Sequence, residues 1–282
     1  MVNFAGLEPN FSSYEKSKMV ILPVPFDATS TWVKGADKGP EALLEASVAL
    51  EWYDIETKTQ VYLHGIHTAP PIPEQKNPEI LCNLVESQLT NLVAQEKFPV
   101  TIGGNHTVSI GAFRAMAKNY EDLTILQLDA HADLRETYEG SDLNHACVMH
   151  RAKELCPITQ VGIRSMSDEE TGFYDSERIF FAHEMLNDNS WTESALKTLS
   201  KNVYITIDLD VFDPSIMPST GTPEPGGLGY YEALHFLRTV IETRNVVGFD
   251  VVELCPNAIN KSPDFLAARL IYQLLTYKFL GK

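Results

Sequence analysis

Seven short runs in this chain are apolar at nearly every position, and that pattern constrains the fold more than any other feature. They are Met19–Val24, Phe98–Ile102, Leu123–Leu128, Ile158–Ile163, Arg178–Phe181, Val203–Ile207 and Val246–Val252. A strand with one wet face alternates apolar and polar residues. A strand covered on both faces does not, and continuous β-branched runs therefore point to parallel strands between helical layers. Helical patterns fill the gaps, near Pro40–Glu51, Pro78–Gln95, Val108–Asn119, Ala146–Leu155, Ser190–Ser200, Tyr230–Thr243 and Pro263–Phe279. Asn77 and Ser262, each followed by proline, read as N-caps with proline in the first helical position. In the last helix, Leu266, Leu270, Ile271, Leu274 and Tyr277 recur at helical spacing, which reads as core. This alternation predicts a three-layer α/β/α fold around a mostly parallel sheet of about eight strands. No repeat or linker divides residues 1–282, and the proline-rich piece Ala69–Pro78 reads as a surface loop, so one domain is expected.

Composition excludes several classes. With 44% hydrophobic and 21% charged residues the chain can build a sizeable core, and nothing in it reads as disordered or fibrous. A net charge of −16, from 38 acidic and 22 basic residues, repels nucleic acid and anionic membrane and favours cationic ligands. Cys82, Cys147, Cys156 and Cys255 are scattered, without zinc-finger or CxxC spacing, as expected of reduced thiols. Neither a signal peptide nor a membrane-length apolar run is evident, which predicts a soluble cytoplasmic protein.

The chemistry-bearing residues sit where strands end. Gly103-Gly104-Asn105-His106 follows one strand, Asp129-Ala130-His131-Ala132-Asp133 another, and Asp208-Leu209-Asp210-Val211-Phe212-Asp213-Pro214 a third. Ligands of open parallel sheets bind at the carboxyl ends of strands, so the three endings can converge on one crevice. Carboxylates placed against apolar strands are costly unless a cation joins them. His106, Asp129, His131, Asp133, Asp208 and Asp210 supply oxygen and nitrogen without thiolate, a donor set suited to manganese or a similar divalent ion. Six ligands exceed the needs of one small ion, whereas two ions sharing carboxylates would use them all. Taken singly, GGxH is a common turn and DxD a common polar strand end; DAHAD is the more specific signal, and the three together in this order are more specific still.

These segments resemble those of the ureohydrolase family, which includes arginases, agmatinases, guanidinobutyrases and formiminoglutamases. Pro25-Phe26-Asp27 through Gly35, Gly39-Pro40-Glu41-Ala42 and Thr220 through Leu228 resemble further family blocks, so the likeness runs from about Leu22 to Glu253. The resemblance implies that His106, Asp129, Asp133 and Asp208 hold one manganese. It implies that Asp129, His131, Asp208 and Asp210 hold the other, with Asp129 and Asp208 bridging. Asn105 departs from the pattern, because many relatives carry an acidic residue there that supports the ligands without binding metal. The implied reaction is attack of a metal-bridging hydroxide on a guanidino group, giving urea and an amine. The resemblance also implies that His145 handles the proton, ahead of His150, and that Glu253 accepts the paired guanidinium N–H groups.

The segment Arg135–Asp142 resembles the agmatinase version rather than the asparagine- and serine-rich arginase version. That implies agmatine as substrate, with putrescine as product and a place in polyamine biosynthesis. Glu136, Glu139, Asp142 and Glu224, together with Thr222, are the expected substrate-facing residues, the acids favouring a distal ammonium over a carboxylate. Guanidinobutyrate, arginine and formiminoglutamate remain the alternative substrates, and a catalytically silent metal-binding subunit the alternative class. The family is usually oligomeric, so a homo-trimer or homo-hexamer is implied.

Overall fold

Residues along each strand face two different apolar layers in turn. Met19 and Ile21 enter one core cluster, while Val20, Leu22 and Val24 enter the other. In the computed structural model, which describes residues 2–186 and 190–281, these strands form one sheet. They are β1 (Met19–Val24), β2 (Ile66–Thr68), β3 (Phe98–Gly103), β4 (Leu123–Leu128), β5 (Ile158–Ile163), β6 (Ile179–Phe181), β7 (Asn202–Asp208) and β8 (Asn245–Val252). The order is β2-β1-β3-β8-β7-β4-β5-β6, every pairing being parallel. Helices Gly39–Ser47, Trp191–Thr198, Tyr230–Thr243 and Ser262–Phe279 bury residues in the first cluster. Helices Pro78–Ala94, Val108–Asn119 and Val148–Lys153 bury theirs in the second. The expected α/β/α layering follows. Among the described residues no helix is long and apolar enough to cross a membrane.

Local chemistry explains where the expectations hold and where they fail. The Asn77 side chain accepts from the N–H groups of Glu79 and Ile80, as an N-cap does. Ser262 is not a cap: it lies inside its helix, and its own N–H and hydroxyl donate to Asn260 Oδ1. The helix expected over 146–155 is broken into a 3-10 turn, His145–Cys147, and a short α-helix, Val148–Lys153. Asn144 caps that turn by accepting from the Ala146 N–H at 3.1 Å. The first long helix stops at Ser47, short of Glu51. Strand β2 was not anticipated, being three residues long with only Ile66 buried.

At the centre of the sheet β3, β8, β7 and β4 lie side by side. The loops leaving their carboxyl ends therefore open on one crevice.

Candidate active site

The loop after β3 is fixed by a close backbone approach. A Cβ on Gly104 would lie 2.0 Å from the Phe26 carbonyl oxygen, so only glycine fits there. Gly104 N–H donates to Val24 and Asn105 N–H to Phe26, both at 2.8 Å, and this turn delivers His106 to the floor of the crevice. His106 Nδ1 is buried and makes no hydrogen bond. It faces three carboxylate oxygens: Asp129 Oδ2 at 3.2 Å, Asp133 Oδ2 at 3.2 Å and Asp208 Oδ2 at 3.4 Å. Beside them His131 Nδ1 lies 2.9 Å from Asp210 Oδ2 and 3.6 Å from Asp129 Oδ1. All six expected ligands are thus gathered from three strand ends.

Main-chain donors hold the carboxylates. Asp129 Oδ1 accepts from His131 N–H at 2.6 Å, Asp208 Oδ1 from Asp210 N–H at 2.9 Å, and Asp210 Oδ1 from Ala130 N–H at 3.0 Å. The second oxygen of Asp129 accepts from the Gln127 amide at 2.8 Å. Asp133 and Glu253 both sit at positive φ, 53° and 66°. Such backbone costs about 1–3 kcal/mol per residue and persists where the surroundings over-determine it. Here Asp133 carbonyl oxygen accepts from Met149 and His150 N–H, and Glu253 N–H donates to Gly104.

The cluster is electrostatically crowded. Burial and the neighbouring Asp129 charge push the Asp133 carboxyl up to about 7. Burial, with Asp210 and Asp129, holds Asp208 well above the carboxylate range. For Asp129 burial acts upward but is outweighed by His106 and His131, which pull it below that range. Burial likewise disfavours the charged forms of His106 and His131, yet the surrounding carboxylates raise both. Repelling carboxylates around an unpartnered imidazole nitrogen fit a divalent cation. Ligand atoms of His106, Asp129 and Asp208 lie within 4.8 Å of one another, as do those of Asp129, His131 and Asp210. The donors are oxygen and nitrogen only, which suits a hard or borderline ion and no thiolate-loving one.

A pH-dependent metal effect follows. Asp133 rises to about 7, and burial lifts Glu253 to about 8. A raised folded-state pKa contributes stability that is full below the unfolded pKa and lost as pH rises through the folded one. Metal-free protein should therefore lose stability from about pH 4 to about pH 8, and a divalent cation held by these carboxylates should raise the melting temperature more at about pH 8 than at about pH 5. Thermal melts with and without manganese check this; an equal or larger gain at the lower pH contradicts it.

Above the cluster opens a cleft of about 290 Å³, lined among others by His131, Asp133, His145, Asp208, Asp210, Thr222 and Glu253. Burial, then the charges on His106 and His131, push the His145 imidazole down to about 4, so it is neutral near pH 7. Its ring meets Tyr138 edge-on at 6.0 Å. His150 stands apart, donating from Nδ1 to the Leu134 carbonyl at 3.0 Å and packing on Phe173. Glu253 Oε1 accepts from the His106 main-chain N–H at 2.7 Å.

Not every expected substrate residue reaches the cleft. Glu136 is exposed on a turn and Glu224 holds the Arg164 guanidinium through its carbonyl; neither is among the lining residues. Glu139 is exposed, and Asp142 pairs with Arg151 instead. The lining also contains residues that the sequence did not single out: Trp32, which is 78% exposed, Tyr138, Met166 and Glu170. Arg135 is the only Lys or Arg among the described lining residues, and it is engaged by Glu169 at 3.2 Å and by the Tyr138 ring. Arg164 was missed as well. Its guanidinium donates to carbonyls of Gly162, Asp210, Val211, Phe212, Glu224 and Pro225, stapling the loop after β7 to the end of β5. Its one sequence signal is a basic residue directly after an apolar strand. Asn105 donates to Thr29 Oγ1 at 2.6 Å and Ser30 Oγ at 3.1 Å, tying the rim loop to the floor.

Known proteins are similar to this chain in sequence and fold. Residues 17–276 match the Arginase family. An N(1)-aminopropylagmatine ureohydrolase from Synechocystis sp. is 40% identical, the match covering 94% of this chain and 90% of that protein. An agmatinase from Halalkalibacterium halodurans is 35% identical, with 94% and 93% covered. Among solved structures, the agmatine ureohydrolase of Thermoplasma volcanium superposes with a TM-score of 0.87 at 32% identity, covering 95% of this chain and 92% of that one. The chain is therefore a hydrolase that belongs to the arginase family.

Proposed function

We propose that the protein hydrolyses the guanidino group of a linear polyamine-type cation to urea and the free amine, using two manganese ions. N(1)-aminopropylagmatine is the preferred substrate and agmatine, the shorter version, the second. The observation that carries the reading is the buried, unpartnered His106 Nδ1 facing three carboxylate oxygens on the floor of an open cleft. His106, Asp129, Asp133 and Asp208 would hold one ion; Asp129, His131, Asp208 and Asp210 the other. Bound there, the ions would make water a competent nucleophile near neutral pH.

The chain's own residues do the rest. Glu253 receives guanidinium N–H groups beside the cage, a charge-assisted pairing that turns the central carbon toward it. His145, which lines the cleft, relays a proton from the attacking water to the departing nitrogen. Overall one water adds across the carbon–nitrogen bond, which breaks to leave urea and an amine that keeps the proton.

The rim supports a long cation over an amino acid. Trp32, which is 78% exposed on the rim, offers an aromatic surface to an alkylammonium chain. No unengaged Lys or Arg among the described lining residues awaits a carboxylate. Relatives named for N(1)-aminopropylagmatine support the longer substrate; the Thermoplasma structure supports agmatine. Urea release by manganese-loaded protein from N(1)-aminopropylagmatine, agmatine, arginine and guanidinobutyrate is the test. The expected order of kcat/KM is the order just given, with the first two far ahead. Arginine turned over best would refute the proposal.

A further inference from the structure

We infer that Thr206 and Asp250 are positioning residues that fix the tautomer and direction of His106, so that its Nδ1 lone pair faces the carboxylate cage. Both are fully buried and lie opposite each other where β7 pairs with β8. His106 Nε2 lies 2.8 Å from Thr206 Oγ1, and Thr206 Oγ1 lies 2.6 Å from Asp250 Oδ1. The other Asp250 oxygen accepts from the Tyr204 hydroxyl at 2.9 Å.

Counting protons gives the direction of this chain. A hydroxyl owns one proton, and a carboxylate has none to give. Thr206 spends its proton on the short bond to Asp250; Ser109 Oγ, at 3.4 Å, is the more distant competitor. Toward His106 the Thr206 oxygen then acts as acceptor, so Nε2 carries the hydrogen and Nδ1 the lone pair. The other neutral tautomer would ask Thr206 for two protons, one for Nε2 and one for Asp250. At the opposite end of the residue, the His106 main-chain N–H is held by Glu253. The imidazole is thereby aimed without any contact between Thr206 or Asp250 and substrate. Buried partners of this kind on a ligating histidine are worth about 10–100-fold in metal affinity.

The inference rests on the metal reading above but not on the identity of the substrate, so its test contains none. Manganese(II) alone is titrated into chelated protein, with free manganese read by electron paramagnetic resonance. Thr206→Val should weaken binding about 10–100-fold, and Thr206→Ser, which keeps the hydroxyl, should restore it. Circular dichroism of the chelated variants should match the unaltered protein, so that weaker binding is read on a folded chain, and the rescue by Thr206→Ser separates the aiming of His106 from loss of fold. If Thr206→Val does not fold, Asp250→Asn, which keeps the side chain's shape but loses its charge, reads the same quantity and should also bind more weakly. Equal affinity in a folded Thr206→Val or Asp250→Asn protein overturns the relay alone. Failure of the unaltered protein to bind manganese overturns the metal reading and the relay together.

Discussion

Asp208→Asn is expected to cut urea release roughly 10³-fold or more, because residues that merely support a ligand already count for about 10–100-fold. The substitution is chosen for what it leaves intact. Asp208 Oδ1 accepts from the Asp210 N–H, and an asparagine oxygen does the same. Its other oxygen faces His106 Nδ1 at 3.4 Å, where an amide nitrogen can donate to the lone pair. Fold and backbone should therefore survive while one negative charge leaves the centre of the cage. Asp129→Asn would be less clean, since both Asp129 oxygens accept from donors, the His131 N–H and the Gln127 amide, and an asparagine nitrogen would face one of them. Elemental analysis alongside activity decides the matter: bound manganese should fall together with the rate. Full activity with full metal content would remove Asp208 from the site.

How much of this was legible beforehand depends on whether the signal is local. The candidate ligands come in three contiguous segments, each directly after an apolar strand, so their order along the chain already implied convergence once the sheet was read as parallel. The long strands were legible because burial on both faces removes alternation from their sequence. Strand β2 was not, since three edge residues with one buried side chain carry no period. The Ser262 cap failed for a related reason: Asn260, two residues earlier, competes for its N–H and hydroxyl.

Partners set by strand register were invisible. Thr206 and Asp250 are ordinary polar residues within apolar strands, and only the β7–β8 register makes them neighbours beneath His106. Arg164 is similar: its carbonyl partners run from 162 to 225, and nothing in sequence spacing links them. Two of the acids expected to face substrate, Glu136 and Glu224, are not among the residues that line the cleft. Glu136 and Glu224 lie in segments that pass near the cleft, but proximity in sequence to a ligand does not set where a side chain points.

Glu253→Gln should lower kcat/KM about 10²–10³-fold, since hydrogen bonds to charged groups are worth roughly 1.5–3 kcal/mol each. Glutamine keeps an oxygen for the His106 main-chain N–H, now accepted at 2.7 Å, so the loop after β3 need not move. It also tolerates the backbone, which already holds a non-glycine residue at φ 66°. What changes is the second oxygen: an amide nitrogen there points hydrogens at the hydrogens of a guanidinium. The negative charge is lost as well. On the proposed mechanism the damage falls on substrate rather than on metal, so manganese stoichiometry should stay at the level of the unaltered protein. That separates this prediction from the one for Asp208, where metal and activity fall together. Glu253→Ala would blur the distinction, because it strips the His106 N–H of its acceptor and disturbs a ligand. Steady-state kinetics with agmatine or its aminopropyl derivative provide the measurement. Unchanged kcat/KM in a metal-replete Glu253→Gln protein would show that the guanidinium is held elsewhere in the cleft.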